Sequence, residues 1–437
     1  MAEILIGSVP PIGHVGPLLT VAATLVQRGH TVMFLTSSRH AEKVRAVGAE
    51  HRPLPPEADI DESRLHIDYP ERQQTGGMKR LNFDVTRLLV EPLPHQAKAL
   101  RDLFAQRRFD AILVDTAFMG VLPMLLGNRA NRPPVLVYST TPLALSSRDT
   151  APFGPGLPPV NTITGRLRNR GLRVLNHKVM LGPSQRAANR MLAQAGSRPL
   201  PAFCFDAMAL ADRYLVPTVP AFEYPRSDLP ANVRFVGAVQ PPRTENFRAP
   251  DWWPQLDARR RPVVHVTQGS VDNADLTRLL RPTIDALADH HLTVVATTGG
   301  RDVDDIGYPM PLNAFASEYV PHDMLLPKVD VLVTNGGYGA VQRALAYGVP
   351  MVVAGDTEDK PEVAARVAWS GAGINLRTGT PTIAAIRTAV MEVLSDRRYL
   401  DRARSLESQF AQRDGVGEIA EIIDELTDAH LPLSSHR

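Results

Sequence analysis

The sequence predicts an α/β fold of two domains, each built on a parallel sheet with helices on both faces. Three observations indicate this fold class. The chain has 437 residues, which is too long for one ordinary core, so two domains of roughly 200 residues each are expected. Short β-rich runs alternate with helical patterns in both halves, as is typical of parallel sheets. A stretch dense in proline and charge separates the halves.

The first half contains five β-rich runs, at 3–8, 31–35, 111–114, 134–138 and 213–216. A helix is predicted directly after the first run, because four apolar residues recur at helical spacing and share one face: Leu18, Val21, Ala22 and Leu25. We expect Pro17 in the first turn of this helix and Gly29 at its end. The chain then returns as the second strand.

The second half contains six β-rich runs, at 262–267, 292–297, 313–316, 330–333, 350–354 and 373–376. The sequence therefore predicts an N-terminal domain over 1–218, a linker over 219–261 in which only 233–236 is strand-like, and a C-terminal domain over 262–418. Residues 419–437 are expected to form a C-terminal helix and tail. The helical pattern from Asp396 to Leu426 is interrupted at 415–417, where the sequence reads GVG.

Composition limits the class of protein. A net charge of +2 and 6% aromatic residues give no basic surface pattern for nucleic acid. No run of about 18 apolar residues occurs, so no stable membrane insertion is expected. Cys204 is the only cysteine, which excludes an intrachain disulfide and favours a reducing, cytoplasmic setting.

A glycine-rich loop follows the apolar run 330–333, in the stretch TNGGYGAVQRALAYGVP at 334–350. Glycines let a backbone approach phosphate closely, and a helix starting near Ala340 would offer unpaired N–H groups and a positive dipole end. A tight turn between strand and helix needs the same glycines. The loop by itself therefore leaves phosphate binding and a purely structural turn both open.

The stretch 319–376 carries more specific features. In order, it contains a YVP turn, the NGG loop, a helix ending in ALAYGVP, and a DKP segment. This arrangement resembles the UDP-glycosyltransferase family of the GT-B fold, and most resembles the bacterial branch that glycosylates natural products and antibiotics. The resemblance covers essentially the whole chain. It implies two Rossmann-like domains that face each other across a cleft, with the acceptor bound by the N-terminal domain and the nucleotide sugar by the C-terminal one.

The resemblance also implies roles in donor binding. Tyr319 would stack on the base, and the backbone of Val320 would contact its edge. Asn335, which stands where the family often has His, would donate a hydrogen bond to a phosphate oxygen. Four main-chain amides would carry most of the diphosphate contact: those of Gly336, Gly337, Gly339 and Ala340.

Four further positions match or depart from the family pattern. Ser270 matches a hydroxyl residue that reaches the diphosphate from the other side, although a helix N-cap is an equal alternative. Asp359 would accept hydrogen bonds from the donor sugar, whereas Lys360 replaces the usual Gln and leaves the sugar open. Arg343 replaces a glutamate that holds the ribose hydroxyls, and a cation cannot accept those hydrogen bonds; the alternative is that Arg343 is a solvated helix residue. The choice between UDP and dTDP therefore stays open.

His14 matches the catalytic base of the family and lies between the first strand and the first helix. The nearby helix N-terminus is expected to disfavour imidazolium and keep the ring neutral. Asp110 and Asp115 flank the run 111–114 and lie ~16 Å apart along a strand. Since ligand crevices open at the carboxyl ends of parallel strands, Asp115 is the expected partner of His14. The alternative is a turn histidine that caps local backbone.

Together these features imply an inverting, metal-independent transfer of a hexose from UDP-glucose or a dTDP-sugar to a hydroxyl of a hydrophobic natural product or antibiotic. No cofactor is expected, because the nucleotide sugar is a co-substrate. The resemblance also implies that the leaving diphosphate is neutralised without a bound metal, and the acidic run 302–305 fits a solvated turn. The segments 52–80 and 145–200 are expected to line the acceptor. A non-catalytic sugar-nucleotide-binding helper and an epimerase of the same fold remain alternatives. The oligomeric state is open, with a homodimer among the options.

Overall fold

The computed structural model describes residues 1–258, 260–270 and 272–428, and within them two separate parallel sheets form. The first sheet consists of β1 (Glu3–Gly7), β2 (Thr31–Thr36), β3 (Glu50–Pro53), β4 (Ala111–Asp115), β5 (Val135–Tyr138), β6 (Arg213–Val216) and β7 (Val233–Phe235). The second consists of β8 (Val263–Thr267), β9 (Thr293–Thr297), β10 (Ala314–Ser317), β11 (Val331–Thr334), β12 (Met351–Val353) and β13 (Gly373–Asn375).

Helices cover both sheets. They are α1 (Ile12–Gln27), α2 (Ala41–Ala46), α3 (Leu65–Asp68), α4 (Pro70–Gln73), α5 (Gly77–Phe83), α6 (Leu93–Gln106), α7 (Leu122–Leu126), α8 (Ile163–Leu175), α9 (Gly182–Gln194), α10 (Trp253–Asp257), α11 (Leu280–Leu287), α12 (His322–Leu325), α13 (Tyr338–Ala346), α14 (Lys360–Ser370), α15 (Ile383–Ser395), α16 (Arg397–Phe410) and α17 (Gly415–Asp428). Wider π-helical turns continue α5 and α8, over Asp84–Val90 and Asn176–Met180. Within the described ranges, no helix combines the length and apolar character needed to cross a bilayer.

The strand orders place a crevice in each domain. The sheets run β3-β2-β1-β4-β5-β6-β7 and β10-β9-β8-β11-β12-β13, with every neighbouring pair parallel. In both, the order reverses beside the domain's first strand, between β1 and β4 and between β8 and β11. Ligands bind at such switch points, outside the carboxyl ends of the strands. The two α/β sheets confirm the predicted fold class.

The strand β3 was not predicted from the sequence. Its residues, EHRP, pair in parallel with β2, from Met33 opposite Glu50 to Thr36 opposite Pro53. Because β3 is an edge strand and largely solvent-exposed, it has no apolar alternation for a sequence pattern to reveal. Pairing with its neighbour, rather than burial of its side chains, makes it a strand.

The stretch predicted as a linker contributes to both domains. Its strand β7 pairs with β6 in the first sheet. In contrast, Trp253 and Leu256 of α10 are buried in the core of the second domain, together with Phe222. The polypeptide between the sheets is therefore tied down at both ends.

The last helix packs against the first domain. Ile419, Ala420 and Ile423 of α17 are buried in the same apolar cluster as Leu18 and Leu25 of α1. The predicted interruption at 415–417 is wrong, because the break lies at 411–414 and GVG forms the first turn of α17. The chain thus crosses from the second domain back to the first.

Replacing Ile423 with Ala is expected to destabilise the protein by about 2–4 kcal/mol, because it leaves a cavity between α17 and α1. Ile423 is fully buried. Urea unfolding of the variant, followed by tryptophan fluorescence and circular dichroism, measures the loss. The matched control is Glu421→Ala on the exposed face of the same helix, which should change stability by about 0.5 kcal/mol or less. Equal effects of the two changes would contradict this packing.

Candidate active site

His14 lies in the first turn of α1, rather than in the loop before the helix as predicted. The helix begins at Ile12, so Pro17 is its sixth residue and not part of its first turn. Pro17 lacks the N–H that would bond to the Gly13 carbonyl, and the helix tolerates this loss near its start. The predicted apolar face of α1 is confirmed, with Leu18 among its buried residues.

Asp115 ends β4 and is completely buried. Its Oδ2 accepts hydrogen bonds from the Ser8 hydroxyl and the Val9 N–H, both at 2.9 Å. Its Oδ1 accepts the Ala117 N–H at 2.7 Å and lies 3.2 Å from Nδ1 of His14. A buried carboxylate needs such donors. The same contacts fix the direction in which Asp115 meets the imidazole.

The imidazole of His14 is held on one side only. Nδ1 faces Asp115 and also lies 3.3 Å from the Thr140 hydroxyl. A proton on Nδ1 can therefore be donated to the carboxylate, which leaves Nε2 as an acceptor. The side chain is 23% exposed, so Nε2 is available to a ligand. Asp110 instead accepts the Glu3 N–H at 2.9 Å, at the far end of the strand.

The pKa of His14 is raised above its usual 6.5. Burial lowers this pKa, but the charge and hydrogen bond of Asp115 outweigh that effect, with smaller contributions from Asp359 and Glu358. The prediction that the helix N-terminus keeps the ring neutral is therefore wrong in direction, since the Asp115 carboxylate in contact favours the imidazolium. Asp359 and Glu358 belong to the second domain, so the two domains face each other at this point.

The glycine loop enters α13 at Tyr338, two residues before the predicted start. Gly336 has a φ of +88°, and a Cβ at this position would lie 2.7 Å from Cγ1 of Val353. Only glycine fits such a backbone without strain. The loop is therefore both tight and close to β12.

The amide donors of this loop differ partly from the predicted set. The Gly336 N–H donates to the Thr334 hydroxyl at 3.2 Å, and the Ala340 N–H donates to the Gly337 carbonyl at 3.1 Å. Within the described residues, the N–H groups of Gly337, Tyr338 and Gly339 have no protein acceptor. These three groups lie at the positive end of α13 and are free to donate to an anionic ligand.

Asn335 is buried and holds two loops together. Its amide nitrogen donates to the carbonyl of Gln268, at 2.5 Å, in the loop after β8. One of its two donor hydrogens is therefore already used by the protein, and only the other remains for the predicted hydrogen bond to phosphate.

Ser270 lies exposed in the loop after β8. It is not a helix N-cap, because α11 begins only at Leu280.

Tyr319 and Val320 differ sharply in burial. Tyr319 is 67% exposed and Val320 is 2% exposed. A rigidly anchored neighbour thus holds an accessible aromatic ring just before Pro321.

Arg343 is half-buried and has no ion-pair partner in the described part of the chain. It lies near His322, whose pKa falls to about 4, first because of burial and second because of the Arg343 charge.

Asp359 and Lys360 take different roles at the start of α14. Burial raises the pKa of Asp359 to about 6, with Lys360 opposing the shift and Glu358 adding to it. The Lys360 ammonium contacts Glu358 and lies 3.6 Å from Asp272. It is therefore engaged in ion pairs within its own domain. Glu358 has a φ of +55°, a strained conformation for a residue with a side chain, which is common at ligand sites.

The acidic run 302–305 forms a turn. Asp302 accepts the N–H of Asp304 at 2.9 Å, and Asp305 pairs with Arg301 at 2.7 Å. Both contacts are local, as expected for this run.

Three contributors to the site were not found from the sequence. Thr140 follows β5, beside the strand that carries Asp115, and its position after a strand was the available signal. The Tyr338 amide was missed because the helix starts earlier than expected. Glu358 gave no signal, since nothing in the sequence marks a glutamate whose backbone adopts the left-handed conformation.

Comparison with known proteins adds independent information. Residues 281–426 match the family model described as "Erythromycin biosynthesis protein CIII-like, C-terminal domain". The chain is 40% identical to 4'-demethylrebeccamycin synthase of Lentzea aerocolonigenes, over 97% of this chain and 99% of that protein. It is 36% identical to UDP-glycosyltransferase 2 of Phaeomoniella chlamydospora, over 98% and 96%.

Solved structures agree on the fold. The glycotransferase of kitacinnamycin matches with a TM-score of 0.72 at 23% identity, covering 97% of this chain and 98% of that one. The calicheamicin glycosyltransferase CalG4 matches with a TM-score of 0.70 at 22% identity, covering 99% and 100%. The architecture of two facing parallel-sheet domains is therefore the GT-B fold.

Changing Gly336 to Ala is expected to lower stability by roughly 1–3 kcal/mol, because the residue has a left-handed φ and the new methyl group would collide with Val353. Thermal unfolding measures the loss. The matched control is Gly339→Ala in the same loop, where a Cβ would meet nothing within 4 Å and Ala favours the helix. A neutral Gly336→Ala would show that the loop has a different backbone.

Proposed function

Because the chain belongs to the UDP-glycosyltransferase family and is a natural-product glycosyltransferase that uses a nucleotide sugar, we propose that it transfers a hexose with inversion and without a metal ion. The proposed donor is UDP-glucose or a dTDP-sugar. The proposed acceptor is a hydroxyl of a hydrophobic natural product or antibiotic. One observation carries the proposal: His14, oriented by Asp115, faces the loop of the second domain that holds Asp359.

The acceptor is activated by His14. Nε2 takes the proton of the acceptor hydroxyl while Nδ1–H is directed at Asp115. The acceptor oxygen then attacks the anomeric carbon as the bond to the diphosphate oxygen breaks, which inverts the configuration. Asp115 stabilises the imidazolium that forms. Its four hydrogen-bond contacts keep it from turning away during the reaction.

The departing diphosphate meets the glycine loop. The N–H groups of Gly337, Tyr338 and Gly339 and the positive end of α13 stabilise the charge that develops on the leaving oxygen. Ser270, in the loop after the adjacent strand β8, supplies a hydroxyl from the other side. Asn335 acts mainly by positioning, since it fastens the glycine loop to the carbonyl of Gln268.

Donor recognition is shared among three groups of the second domain. Tyr319 stacks on the base, and the backbone of Val320 contacts its edge. The Asp359 carboxylate accepts hydrogen bonds from the sugar, which requires the ionised form and hence a pH above its pKa of about 6. Lys360 supports Asp359 as a buried neighbouring charge rather than by touching the sugar.

The donor and acceptor classes follow from the relatives. Several are named UDP-glucosyltransferases, such as that of Beauveria bassiana at 35% identity, which supports UDP-glucose. Arg343 stands where a ribose-binding acceptor is usual, which keeps a dTDP-sugar in the proposal. The similarity to 4'-demethylrebeccamycin synthase supports a hydrophobic acceptor. A cytoplasmic location belongs to the same proposal, consistent with the buried free thiol of Cys204.

The direct test is a mass-spectrometric screen of UDP-glucose and dTDP-glucose against hydroxylated polycyclic, phenolic and macrolactone acceptors. Formation of a β-linked glycoside from an α-linked donor, unaffected by EDTA, is the expected result. A product that retains the donor's configuration would refute inversion. Release of free sugar or an epimer without acceptor would instead support an epimerase.

Asp115→Asn is expected to lower the plateau of kcat/KM by about 10²–10⁴-fold, because the imidazolium loses its stabilising charge. In the native enzyme, activity should rise with pH through the His14 pKa, which lies above 6.5, since only neutral His14 can accept the proton. Without the carboxylate, burial becomes the main influence on the His14 pKa and lowers it. This acid limb should therefore move to lower pH. The pH dependence of kcat/KM for glycoside formation measures both effects.

The control for Asp115→Asn is Asp110→Asn, at the opposite end of the same strand. It makes the same chemical change but should leave the pH profile in place. His14→Ala should abolish most activity, and the only acid limb left in the residual rate should be that of Asp359, whose pKa is about 6. A native-like profile in Asp115→Asn would refute the proposed pair.

Tyr319→Ala is expected to raise the KM for the nucleotide sugar by about 5- to 100-fold, the range that loss of one base–aromatic stack produces. The maximal rate should change little, because the ribose and the diphosphate separate the base from the bond that breaks. Tyr319→Phe keeps the stacking face and should behave like the native enzyme. Steady-state kinetics at saturating acceptor measure the difference, and an unchanged KM in Tyr319→Ala would remove the stacking role.

A further inference from the structure

The segment 150–205 has an unusual charge. It contains no Asp or Glu and eight cations: Arg166, Arg168, Arg170, Arg173, Lys178, Arg186, Arg190 and Arg198. The whole chain has 48 basic and 46 acidic residues, so the remaining 40 basic and 46 acidic residues carry a net charge of −6. Cations are therefore concentrated on α8, its continuation and α9.

Most of these cations also lack a carboxylate partner. Within the described residues, Arg166 pairs with Asp149, and the other seven take part in no ion pair. Several cations elsewhere on the surface have carboxylate partners, as Arg107 has in Glu3 and Glu50. A surface with uncompensated positive charge attracts an anionic surface.

The helix α8 is amphipathic, but its apolar side chains face solvent and its buried positions are small or polar. Its buried positions include Gly165 and Asn169, whose side-chain amide donates to the Arg148 carbonyl at 3.1 Å. Its solvent-facing positions hold Ile163, Leu167 and Val174, which are 81%, 64% and 55% exposed. These three residues are spaced i, i+4 and i+11 and so form one stripe. Leu175 and Val179, also exposed, extend the apolar surface.

We propose that this face, formed by the outward side of α8 and its continuation to Met180, docks reversibly on an anionic lipid surface. An apolar stripe flanked by Arg and Lys is the pattern of helices that lie in the membrane interface. The stripe enters the boundary between headgroups and acyl chains, while the flanking cations contact the anionic headgroups. At 13 residues, α8 is about 20 Å long and lies along the bilayer rather than across it.

Other occupants fit less well. A second copy of the chain would bring two cation-rich faces together, and such like-charge contacts are unfavourable. Protein interfaces are enriched in aromatic residues and depleted in charge at their centre. The stripe has the opposite composition, because its members are aliphatic and Arg170 lies among them.

Vesicle co-sedimentation tests the proposal. The full-length protein is mixed with vesicles of phosphatidylcholine alone or with about 30% phosphatidylserine, at low and high NaCl. Binding is expected only with the anionic lipid and should be lost at high salt. Arg168→Gln/Arg170→Gln/Lys178→Gln should weaken binding by about a hundredfold, since each cation near an anionic surface contributes about fivefold. Leu167→Gln/Val174→Gln should weaken it independently of salt.

Matched controls lie on other surfaces. Lys43→Gln/Arg45→Gln/Lys98→Gln removes three exposed cations outside the segment, and Leu312→Gln removes an apolar side chain that is fully exposed. Both should bind vesicles like the native protein. All replaced side chains are largely exposed, so circular dichroism should show native folding in every variant.

Three results would overturn the proposal. One is an absence of vesicle binding by the native protein. Another is equal loss of binding in the segment variants and the controls. The third is a dimer by sedimentation velocity that Leu167→Gln/Val174→Gln dissociates, which would assign the stripe to a second copy of the chain. None of these readouts depends on glycosyl transfer, so the outcome is separate from that of the proposed function.

Discussion

The buried carboxylate of Asp115 is the constraint on which the proposed site depends. Removing a carboxylate from water is costly unless donors replace the lost hydration. Here the donors come from the segment after β1, from the turn after β4 and from α1. Because β1 and β4 are neighbours at the switch point, the strand order itself brings these donors together. The orientation of His14 is thus a consequence of sheet topology.

Much of this arrangement could be predicted from the sequence, because it follows from strand order. The β-rich runs predicted both sheets apart from β3 and from β7, which was assigned to the linker, and the rule that crevices open at carboxyl strand ends selected Asp115 over Asp110. The helix start at Ile12 could not be predicted, since a proline inside a helix is ordinarily a breaker and Pro17 indicated a later start. The engagement of Asn335 with Gln268 also depends on contact between distant loops, which no local pattern encodes.

A second buried charge cluster joins the two domains. Arg366 of α14 is almost fully buried and bonds Glu223, in the stretch between the sheets, at 2.9 Å and Glu362 at 2.8 Å. Glu362 also accepts the N–H groups of Gly154 and Gly156 from the first domain, each at 2.8 Å. Such a cluster gives little net stability but fixes geometry, because any other docking would leave a charge unpaired. It acts on the same helix that begins beside Asp359.

This placement explains how a histidine in one domain is influenced by carboxylates in the other. Asp359 and Glu358 raise the pKa of His14 only because α14 is held against the first domain. In the proposed reaction the same carboxylates favour the imidazolium that proton transfer creates, while the amide edge of α13 faces the diphosphate. Negative groups therefore surround the base and positive ones the leaving group. The carboxylates near His14 and the amide groups near the diphosphate take these positions only when the domains are docked as they are here. The Arg366 cluster, which fixes that docking, is therefore as much a part of the site as the residues that would touch substrate.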